Sequence, residues 1–314
     1  MRWVTYLSAD AAPDDQPRAG LVEDGVVHAL DAGVQLIDLL GDDGTRLREA
    51  ADRARRAPAE RQELDGVRLL APIPRPPSVR DFSAFEEHIR NGLEAIGQKM
   101  GDDWFELPVF YFSNPAAVHG TGATIVAPGN TQRLDYELEV AAVIGRPGRD
   151  LDPATAEQHI AGFCLFNDWS ARDLQTKEQA TVPIGPAKGK DFANGFGPCL
   201  VTPDELEPYR KAKGYDLAMT ATVNGTVLSR GNWSDIYWSF GEMLAYASRA
   251  ADLVPGDLLG SGTCGSGCIL ELSLRFGADA YPYLRDGDEV VLEVEGLGRL
   301  ENRVSFAAEP APLR

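Results

Sequence analysis

Three acidic residues lie in apolar, strand-like sequence between Asp135 and Gln175 and could together bind a metal ion. Glu137 and Glu139 belong to DYELEVAAVIG, and Asp168 ends the apolar run that begins AGFCLF. Two carboxylates about 4 Å apart repel by roughly 4 kcal/mol at an effective dielectric near 20. A converging set must therefore take up protons or bind a cation, and we interpret this set as the site of a divalent ion.

The alternation of a β-strand supports this interpretation. Side chains at positions i and i+2 share one face of a strand, so Glu137 and Glu139 point the same way. A solvated strand face is the common explanation of such a pair, but the following AAVIG is apolar on both faces, which indicates a buried strand. Asp135 has the same phase, and the pattern leaves it open as a further ligand.

Two aspartates outside that strand are further candidates. Asp168 either presents its carboxylate at a strand end or caps the following SARDLQ turn. Asp81 precedes a predicted helix and is either a ligand or an ordinary loop residue. Ligation by oxygen alone favours Mg²⁺, Mn²⁺ or Ca²⁺ over zinc or copper.

His88 is the histidine best placed for chemistry. It follows Asp81 by seven residues on the first turns of the predicted helix, where it could face the metal as a general base. Glu271 alternates with leucines in CILELSLR, which predicts a buried acid on a strand that needs a partner. A histidine oriented by a carboxylate is the usual device for activating water. His28, His119 and His159 are expected to have ordinary structural roles.

Composition excludes several classes of protein. The 314 residues are 44% hydrophobic and 25% charged, as in globular proteins. The net charge of -18 argues against nucleic acid binding, although Arg172, Lys188 and Lys190 could offset it locally for an anionic substrate. The four cysteines lack zinc-binding spacing and are expected to be free thiols. Without a signal pattern or an apolar run long enough to cross a membrane, we expect a cytoplasmic protein.

Residues 1–70 are predicted to form a small N-terminal accessory domain. A strand near Trp3–Leu7 precedes a hairpin that turns at Asp24-Gly25. Two helices are predicted near Val34–Leu40 and Leu47–Leu64. The proline-rich APIPRPP segment, Ala71–Pro77, predicts an extended connector, so the second domain would span residues 71–314.

The second domain has a β-rich α+β pattern. Ser83 and Glu86 predict a capping box, followed by a helix with an apolar stripe formed by Ile89, Leu93, Ile96 and Met100. Short β-type segments then dominate, with a strong hairpin signal at Asn224-Gly225 and one helix near Asp235–Ala251. The regular strand–helix alternation of a doubly wound sheet is missing.

A literal GxGxxG match, Gly260 to Gly265, is not interpreted as a dinucleotide site. It leads into CILELSLRF, which the pattern predicts as a strand, whereas the dinucleotide motif requires a helix. A flexible turn that approaches a substrate is the better interpretation.

Six ordered blocks of sequence resemble the fumarylacetoacetate hydrolase family over roughly residues 72–305. They are DFSAFEEH (Asp81–His88), LDYELEVA (Leu134–Ala141), NDWSARDLQ (Asn167–Gln175), GPAKGKDF (Gly185–Phe192), VPGDLLGSGT (Val254–Thr263) and LELS (Leu270–Ser273). Residues 1–70 are similar to the accessory β domain of that family. The resemblance implies a mixed β-roll catalytic domain, usually a homodimer, that holds Mg²⁺, Mn²⁺ or Ca²⁺.

The resemblance also implies roles for individual residues. The metal ligands would be Asp81, Glu137, Glu139 and Asp168. His88 and Glu271 would activate water, and the spacing from Asp81 to His88 follows the branch that hydrolyses C–C bonds. The residues that face the substrate oxygens and the departing carbanion would be Arg172, Gln175 and Lys190. Those that contact the carboxylate or diketone end would be Tyr111 and Thr263.

Two departures from the family bear on substrate recognition. Where the animal enzyme has a carboxylate-binding arginine, nine residues after the histidine, this chain has Gly97. The segment between Gln175 and Lys190 is also longer by two residues than in that enzyme. We therefore expect a hydrolase of acylpyruvates or other β-diketone acids. The alternatives are an isomerase, hydratase or decarboxylase of 2-oxo or 2-hydroxy-dienoic acids, and a catalytically silent binding protein on the same scaffold.

Overall fold

The computed structural model describes residues 1–12, 15–95, 97–312 and 314. The strands are, in chain order, β1 (Arg2–Ser8), β2 (Arg18–Glu23), β3 (Val26–Ala29), β4 (Arg61–Glu63), β5 (Val67–Leu69), β6 (Val79–Phe82), β7 (Phe110–Ser113), β8 (Val118–His119), β9 (Thr124–Ala127), β10 (Leu134–Asp135), β11 (Leu138–Ile144), β12 (Ile160–Asp168), β13 (Ser170–Ala171), β14 (Asn194–Val201), β15 (Arg210–Lys211), β16 (Gly214–Tyr215), β17 (Ala218–Val223), β18 (Thr226–Asn232), β19 (Leu258–Gly260), β20 (Glu289–Val294) and β21 (Gly298–Phe306). The α-helices are α1 (Thr45–Arg56), α2 (Glu86–Ala95), α3 (Arg172–Thr181), α4 (Pro203–Leu206), α5 (Phe240–Ala247) and α6 (Ile269–Phe276). Short 3-10 turns are Leu36–Leu39, Leu64–Gly66, Asp102–Phe105, Ala156–His159, Glu207–Tyr209 and Trp233–Asp235.

Two large mixed sheets dominate the fold. The first runs β4-β3-β2-β1-β14-β12-β11-β19-β6-β7, with β5 also paired to β1 and β8 to β14. The second runs β18-β17-β20-β21-β9. Parallel pairs such as β19 with β6 and β21 with β9 interrupt the otherwise antiparallel order. This arrangement confirms the predicted β-rich α+β class.

Strand β11 is buried on both faces, as its apolar sequence predicts. Leu138, Val140 and others of that phase pack in one core cluster, whereas Ala141 and Val143 pack in a second. Because alternate residues point to opposite faces, Glu139 has the phase of Ala141 and Val143. The sheet therefore holds the Glu139 carboxylate inside the protein.

The N-terminal strands continue the larger sheet. The β2–β3 hairpin turns at Asp24 and Gly25, whose φ angles of 49° and 78° suit a primed turn and confirm the predicted hairpin. Strand β1 pairs with β2 and also with β14, from the part of the chain beyond the connector. The division at residue 70 into two domains remains a prediction.

Three predicted helices have different bounds in the structure. The segment Val34–Leu40 contains only a 3-10 turn, and α1 ends at Arg56 rather than Leu64 because Arg61–Glu63 pairs with β3. Helix α5 is shorter than predicted and begins with a capping box formed by Ser239 and Glu242.

Two further expectations are wrong. CILELSLRF contains helix α6 instead of a strand, since Ile269 and Leu272 are buried three residues apart while Leu274 is exposed. Helix α2 begins at Glu86, two residues later than a cap at Ser83 would give. Of the predicted stripe, Ile89 and Leu93 are partly buried, Met100 lies beyond the helix, and Ile96 lies outside the described residues.

No helix in the described ranges combines the length and hydropathy needed to cross a bilayer. The four cysteines are free and buried.

Candidate active site

Adjacent strands of the larger sheet bring four carboxylates together. Asp81 lies on β6, Glu139 on β11 and Asp168 at the end of β12, and β19 lies between β6 and β11. Glu137 precedes β11 and forms a backbone bridge to Cys268 beside α6. One oxygen from each of the four carboxylates lies within 4.8 Å of the others. The structure thus brings together the four acids expected to bind metal.

Glycine in and after β19 leaves room for these acids. A Cβ atom at Gly260 would lie 2.5 Å from Oδ1 of Asp81, so a larger residue would displace the carboxylate. Gly262 has a φ of +79°, which favours glycine. Its N–H donates to Oδ1 of Asp81 at 3.2 Å and to Oε2 of Glu139 at 2.9 Å. The GxGxxG segment therefore supports the acid cluster. We did not interpret it as a dinucleotide site because a strand was predicted after it, and that prediction is wrong, since a helix follows.

Two cations and a phenol contact the cluster. Lys190 Nζ donates to Glu137 and lies 2.5 Å from Oδ2 of Asp168. Arg172 Nη2 donates to Oε1 of Glu137 at 2.7 Å. Tyr111 donates its hydroxyl to Asp168, so it contacts a carboxylate of the cluster directly.

The acids differ in how easily they ionise. Burial raises the pKa of Asp81 to about 6. Burial and then the neighbouring carboxylates raise the pKa of Glu139 well above its ordinary value. Burial also raises the pKa of Asp168 well above normal, and Lys190 only partly opposes this. Although burial opposes it, Arg172 and Lys190 hold the pKa of Glu137 below its usual value. Arg172 and Lys190 thus favour the ionised form of Glu137, whereas at Asp81 and Asp168 Lys190 only partly opposes the effect of burial.

These residues fit a divalent cation. Oδ1 of Asp168 is buried and has no hydrogen-bond partner among the described residues. The ammonium of Lys190, between two of the carboxylates, shows that the cluster accommodates positive charge. Converging carboxylate oxygens are the ligands that Mg²⁺, Mn²⁺ and Ca²⁺ prefer.

His88 and Glu271 form the expected pair, although Glu271 lies on a helix. His88 Nδ1 is 2.9 Å from Oε2 of Glu271. The other oxygen of Glu271 accepts from Asn91 Nδ2 at 2.5 Å and from the Ser266 N–H at 2.7 Å. Burial opposes ionisation of Glu271, but its hydrogen bond from His88 and the other donors lower its pKa overall. An ionised Glu271 orients Nδ1–H toward itself and leaves Nε2 free to accept a proton.

Sequence reasoning missed Asn91 and the backbone donor at Ser266. Asn91 follows His88 by three residues on α2, which places both on one face of the helix. That spacing could have identified Asn91. The contact with Ser266 depends on the turn before α6, which local sequence does not specify.

A cavity of about 530 Å³ opens beside these groups. Nine of the predicted site residues line it: Asp81, His88, Tyr111, Glu137, Glu139, Arg172, Gln175, Lys190 and Thr263. Asp168 and Glu271 lie behind this lining and are fixed by Lys190 and His88. Gln175 accepts from Arg172 Nη1 at 3.2 Å, and the Thr263 hydroxyl lies 3.5 Å from Oε1 of Glu139.

Asp135, which the sequence left open as a ligand, has a structural role. Its carboxylate accepts from Arg172 Nε at 2.8 Å and from the N–H groups of Ile269 and Leu270 at 2.7 and 2.9 Å. It therefore orients Arg172 and satisfies the first turn of α6, which carries Glu271. Because we predicted a strand in place of α6, Asp135 could not be identified from the sequence as the acceptor for the first N–H groups of a helix.

We expect Asp135→Ala to lower the free energy of unfolding by about 3–5 kcal/mol, because it removes one partner of a buried ion pair. Equilibrium urea unfolding measures this change. The exposed Asp279→Ala is a matched control and should change stability by less than about 0.5 kcal/mol. A loss in Asp135→Ala no larger than in the control would contradict the structural role.

Comparison with known proteins identifies the family. Residues 78–305 match the family described as Fumarylacetoacetate (FAA) hydrolase C-terminal. The fumarylacetoacetase of Arabidopsis thaliana is 32% identical over 267 residues, which are 67% of this chain and 63% of that protein. The chain thus spans less than two thirds of that relative's length.

Two solved structures share the fold along nearly the whole chain. The fumarylacetoacetate hydrolase of Exiguobacterium antarcticum superposes with a TM-score of 0.73 at 28% identity, covering 98% of this chain and 100% of that one. The 5-carboxymethyl-2-hydroxymuconate delta-isomerase of Mycobacterium smegmatis gives a TM-score of 0.69 at 25% identity, with the same coverage. Because the family match spans residues 78–305, which is more than half of this chain and contains the acid cluster, His88 and Glu271, the chain belongs to the fumarylacetoacetate hydrolase family.

Proposed function

We propose that this protein is a divalent-metal-dependent hydrolase that cleaves a C–C bond in a β-diketone acid of the acylpyruvate type. The observation that carries the proposal is the His88–Glu271 pair, which opens onto the same cavity as the acid cluster. Metal-dependent hydrolysis of a carbonyl compound uses a general base that activates water and, next to it, a group of residues that binds the metal ion.

The ion would be held by Asp81, Glu137, Glu139 and Asp168, with Mg²⁺ as the first choice and Mn²⁺ or Ca²⁺ as alternatives. When bound, such an ion supplies Lewis-acid polarisation of the substrate carbonyl groups.

His88 moves the proton. Its Nδ1–H donates to Glu271, so Nε2 accepts a proton from water as the water oxygen adds to the acyl carbonyl carbon. The bond between that carbon and the neighbouring methylene carbon then breaks. The hydroxyl remains on the acyl carbon as a carboxylic acid, and the methylene carbon takes up the proton to give the methyl group of pyruvate. One water is consumed and two acids are released.

Lys190 and Arg172 face the charge that develops on the leaving fragment. Burial opposes a charged lysine, but the Asp168 and Glu137 carboxylates raise the pKa of Lys190 above its ordinary value, so it stays cationic. Fixed donors in a buried site stabilise developing negative charge more than water does. We assign Tyr111 and Thr263 to the carboxylate or diketone end of the substrate, and Gln175 to its oxygens.

The alternative is an isomerase, hydratase or decarboxylase of 2-oxo or 2-hydroxy-dienoic acids, consistent with the isomerase among the structural relatives. Isomerisation and decarboxylation use a similar polarised substrate but need no attacking water. The His88–Glu271 pair therefore favours hydrolysis over isomerisation and decarboxylation, whereas a hydratase would also use an activated water.

The products discriminate among these reactions. With Mg²⁺ or Mn²⁺ present, we expect acylpyruvates to lose their enol absorbance and to yield two acids, one of them pyruvate. Chromatography of the products measures this outcome. A single isomeric product, a single hydrated product, or released carbon dioxide would replace the hydrolase assignment with isomerase, hydratase or decarboxylase activity, respectively.

We also propose, from the family resemblance, a cytoplasmic homodimer that acts on a small oxo-acid. The net charge of -18 supports a protein that binds neither nucleic acid nor anionic membranes.

A further inference from the structure

We propose that the substrate of this cavity carries one carboxylate, at its 2-oxo end, and an uncharged apolar group at its acyl end. The inference rests on the function proposed above and adds the substrate class. Three properties of the cavity carry it: the places of its basic residues, its remaining lining, and its charge.

The basic residues that line the cavity all lie at the acid cluster or at the Glu271 pair. Arg172 donates to Asp135 and Glu137 at 2.8 and 2.7 Å. Lys190 contacts Glu137 and Asp168. Of the described lining residues, the third and last basic one is His88, which pairs with Glu271. A carboxylate at the acyl end would therefore find no basic lining residue that is not already paired with a carboxylate of the protein.

The remaining lining is uncharged. The apolar members are Phe82, Ile89, Val109, Phe110, Pro186 and Leu270. The polar members with no charge include Ser83, Thr176 and Gln179. Val109 is 48% exposed, so a bound acyl group would remove apolar surface from water, which is favourable.

Exposed apolar side chains continue beyond the lining. Val182 and Ile184 are 51% and 84% exposed and belong to the segment that leads to Gly185 and Pro186, which line the cavity. Exposed apolar side chains in a segment that enters a cavity lining are consistent with a surface that binds something apolar. An aliphatic or aromatic acyl group has that chemistry.

The charge of the site opposes a second anion. The four cluster acids with Asp135 and Glu271 give six carboxyl groups against three permanent cations, Arg172, Lys190 and Arg275, the last of which lies 3.6 Å from Glu271. With all of them ionised, a divalent ion would still leave a formal excess of one negative charge. The carboxylate at the 2-oxo end adds one more, so a further carboxylate at the acyl end would be repelled.

A series of acylpyruvates with Mg²⁺ tests the inference. We expect kcat/KM to rise about fourfold per added methylene from acetyl through butanoyl to hexanoyl, the gain from burying each methylene. Succinylpyruvate, which matches butanoylpyruvate in carbon number but ends in a carboxylate, should be at least about tenfold poorer. A flat or falling series, or equal turnover of the succinyl compound, would overturn the proposal.

Binding of uncleavable acids separates this inference from the proposed reaction. 2-Oxooctanoate and 2-oxooctanedioate have the same carbon number, and neither has the 4-oxo group needed for cleavage. In the presence of Mg²⁺, we expect the monoacid to raise the melting temperature more than the diacid does. If no acylpyruvate is hydrolysed but this order holds, the reaction assignment fails and the substrate class stands. An equal or reversed order overturns the class whatever the reaction.

A charge placed in the lining should reverse the preference. Val109→Arg should raise the ratio of succinyl to butanoyl turnover by at least about tenfold, because the new guanidinium pairs with the terminal carboxylate. Val227→Arg is the matched control, since Val227 is 43% exposed and does not line the cavity. Its ratio should equal that of the parent protein. An unchanged ratio in a folded Val109→Arg protein would contradict the placement of the acyl end.

Discussion

Replacing His88 by alanine should lower kcat for C–C hydrolysis by a factor of about 10²–10⁴, the usual contribution of a positioned general base. His88 is the histidine that lines the acid-rich cavity, and its Nδ1 is held by Glu271 at 2.9 Å. Without the imidazole, water must add to the acyl carbonyl with no group to accept its proton. Steady-state kinetics on the best acylpyruvate measures the loss.

Glu271→Gln should lower kcat less than His88→Ala, because the amide still contacts Nδ1 but no longer stabilises the charged imidazolium. The carboxylate acts through the histidine, so its loss should also shift the pH profile of kcat, which a general loss of folding would not do.

His159→Gln is the control, since His159 bonds a backbone carbonyl and lies away from the acid cavity. It should retain parental kcat. His88→Ala should also keep its response to divalent ions, because His88 is outside the carboxylate cluster. Near-normal turnover in a folded His88→Ala protein would eliminate the water-activating role.

The acid cluster was predictable because it follows rules of local sequence. The i, i+2 phase placed Glu137 and Glu139 on one side, and the apolar residues after them indicated burial. Asp168 follows from the apolar strand that it ends. Their convergence with Asp81 is a property of strand order, which puts β6, β19, β11 and β12 side by side.

The positions of Glu271 and Asp135 could not be predicted from local pattern. The run CILELSLRF alternates as a strand does, while the three-residue spacing of Ile269 and Leu272 also fits a helix, and tertiary contacts decide between them. Asp135, 134 residues away in the sequence, favours the helix by accepting a hydrogen bond from the N–H of Ile269 in its first turn. Likewise, Lys190 reaches Glu137 across 53 residues of sequence. Such contacts depend on the folded sheet and leave no periodic signal.

Glu139→Gln should abolish the stabilisation of the protein by divalent ions and its activity together. Saturation at a hundred times the dissociation constant is worth about 2.7 kcal/mol to the folded state. For a chain of this size, that should raise the melting temperature by roughly 4 °C in the parent protein. A neutral amide in place of one of four ligands removes much of the attraction for the ion, so the rise should largely disappear.

The same substitution should stabilise the protein when a chelator is present. Burial, and then the carboxylates of Asp81, Glu137 and Asp168, raise the pKa of Glu139, so its ionisation costs free energy in the folded state. A glutamine of nearly the same shape carries no charge and avoids that repulsion. The order of the two melting temperatures should therefore reverse. The variant should have the higher melting temperature in chelator, and the parent should have the higher one in Mg²⁺ or Mn²⁺.

Glu293→Gln provides the matched control because Glu293 lies exposed on β20, away from the cluster. It removes the same charge from a protein whose net charge is -18, so it reports any diffuse binding of cations to the acidic surface. We expect its ion response to equal that of the parent and to persist in 0.15 M salt, at which exposed charges are screened beyond about 8 Å. If no divalent ion raises the melting temperature, or if Glu139→Gln responds as the parent does, the four carboxylates do not form the ion site on which catalysis depends.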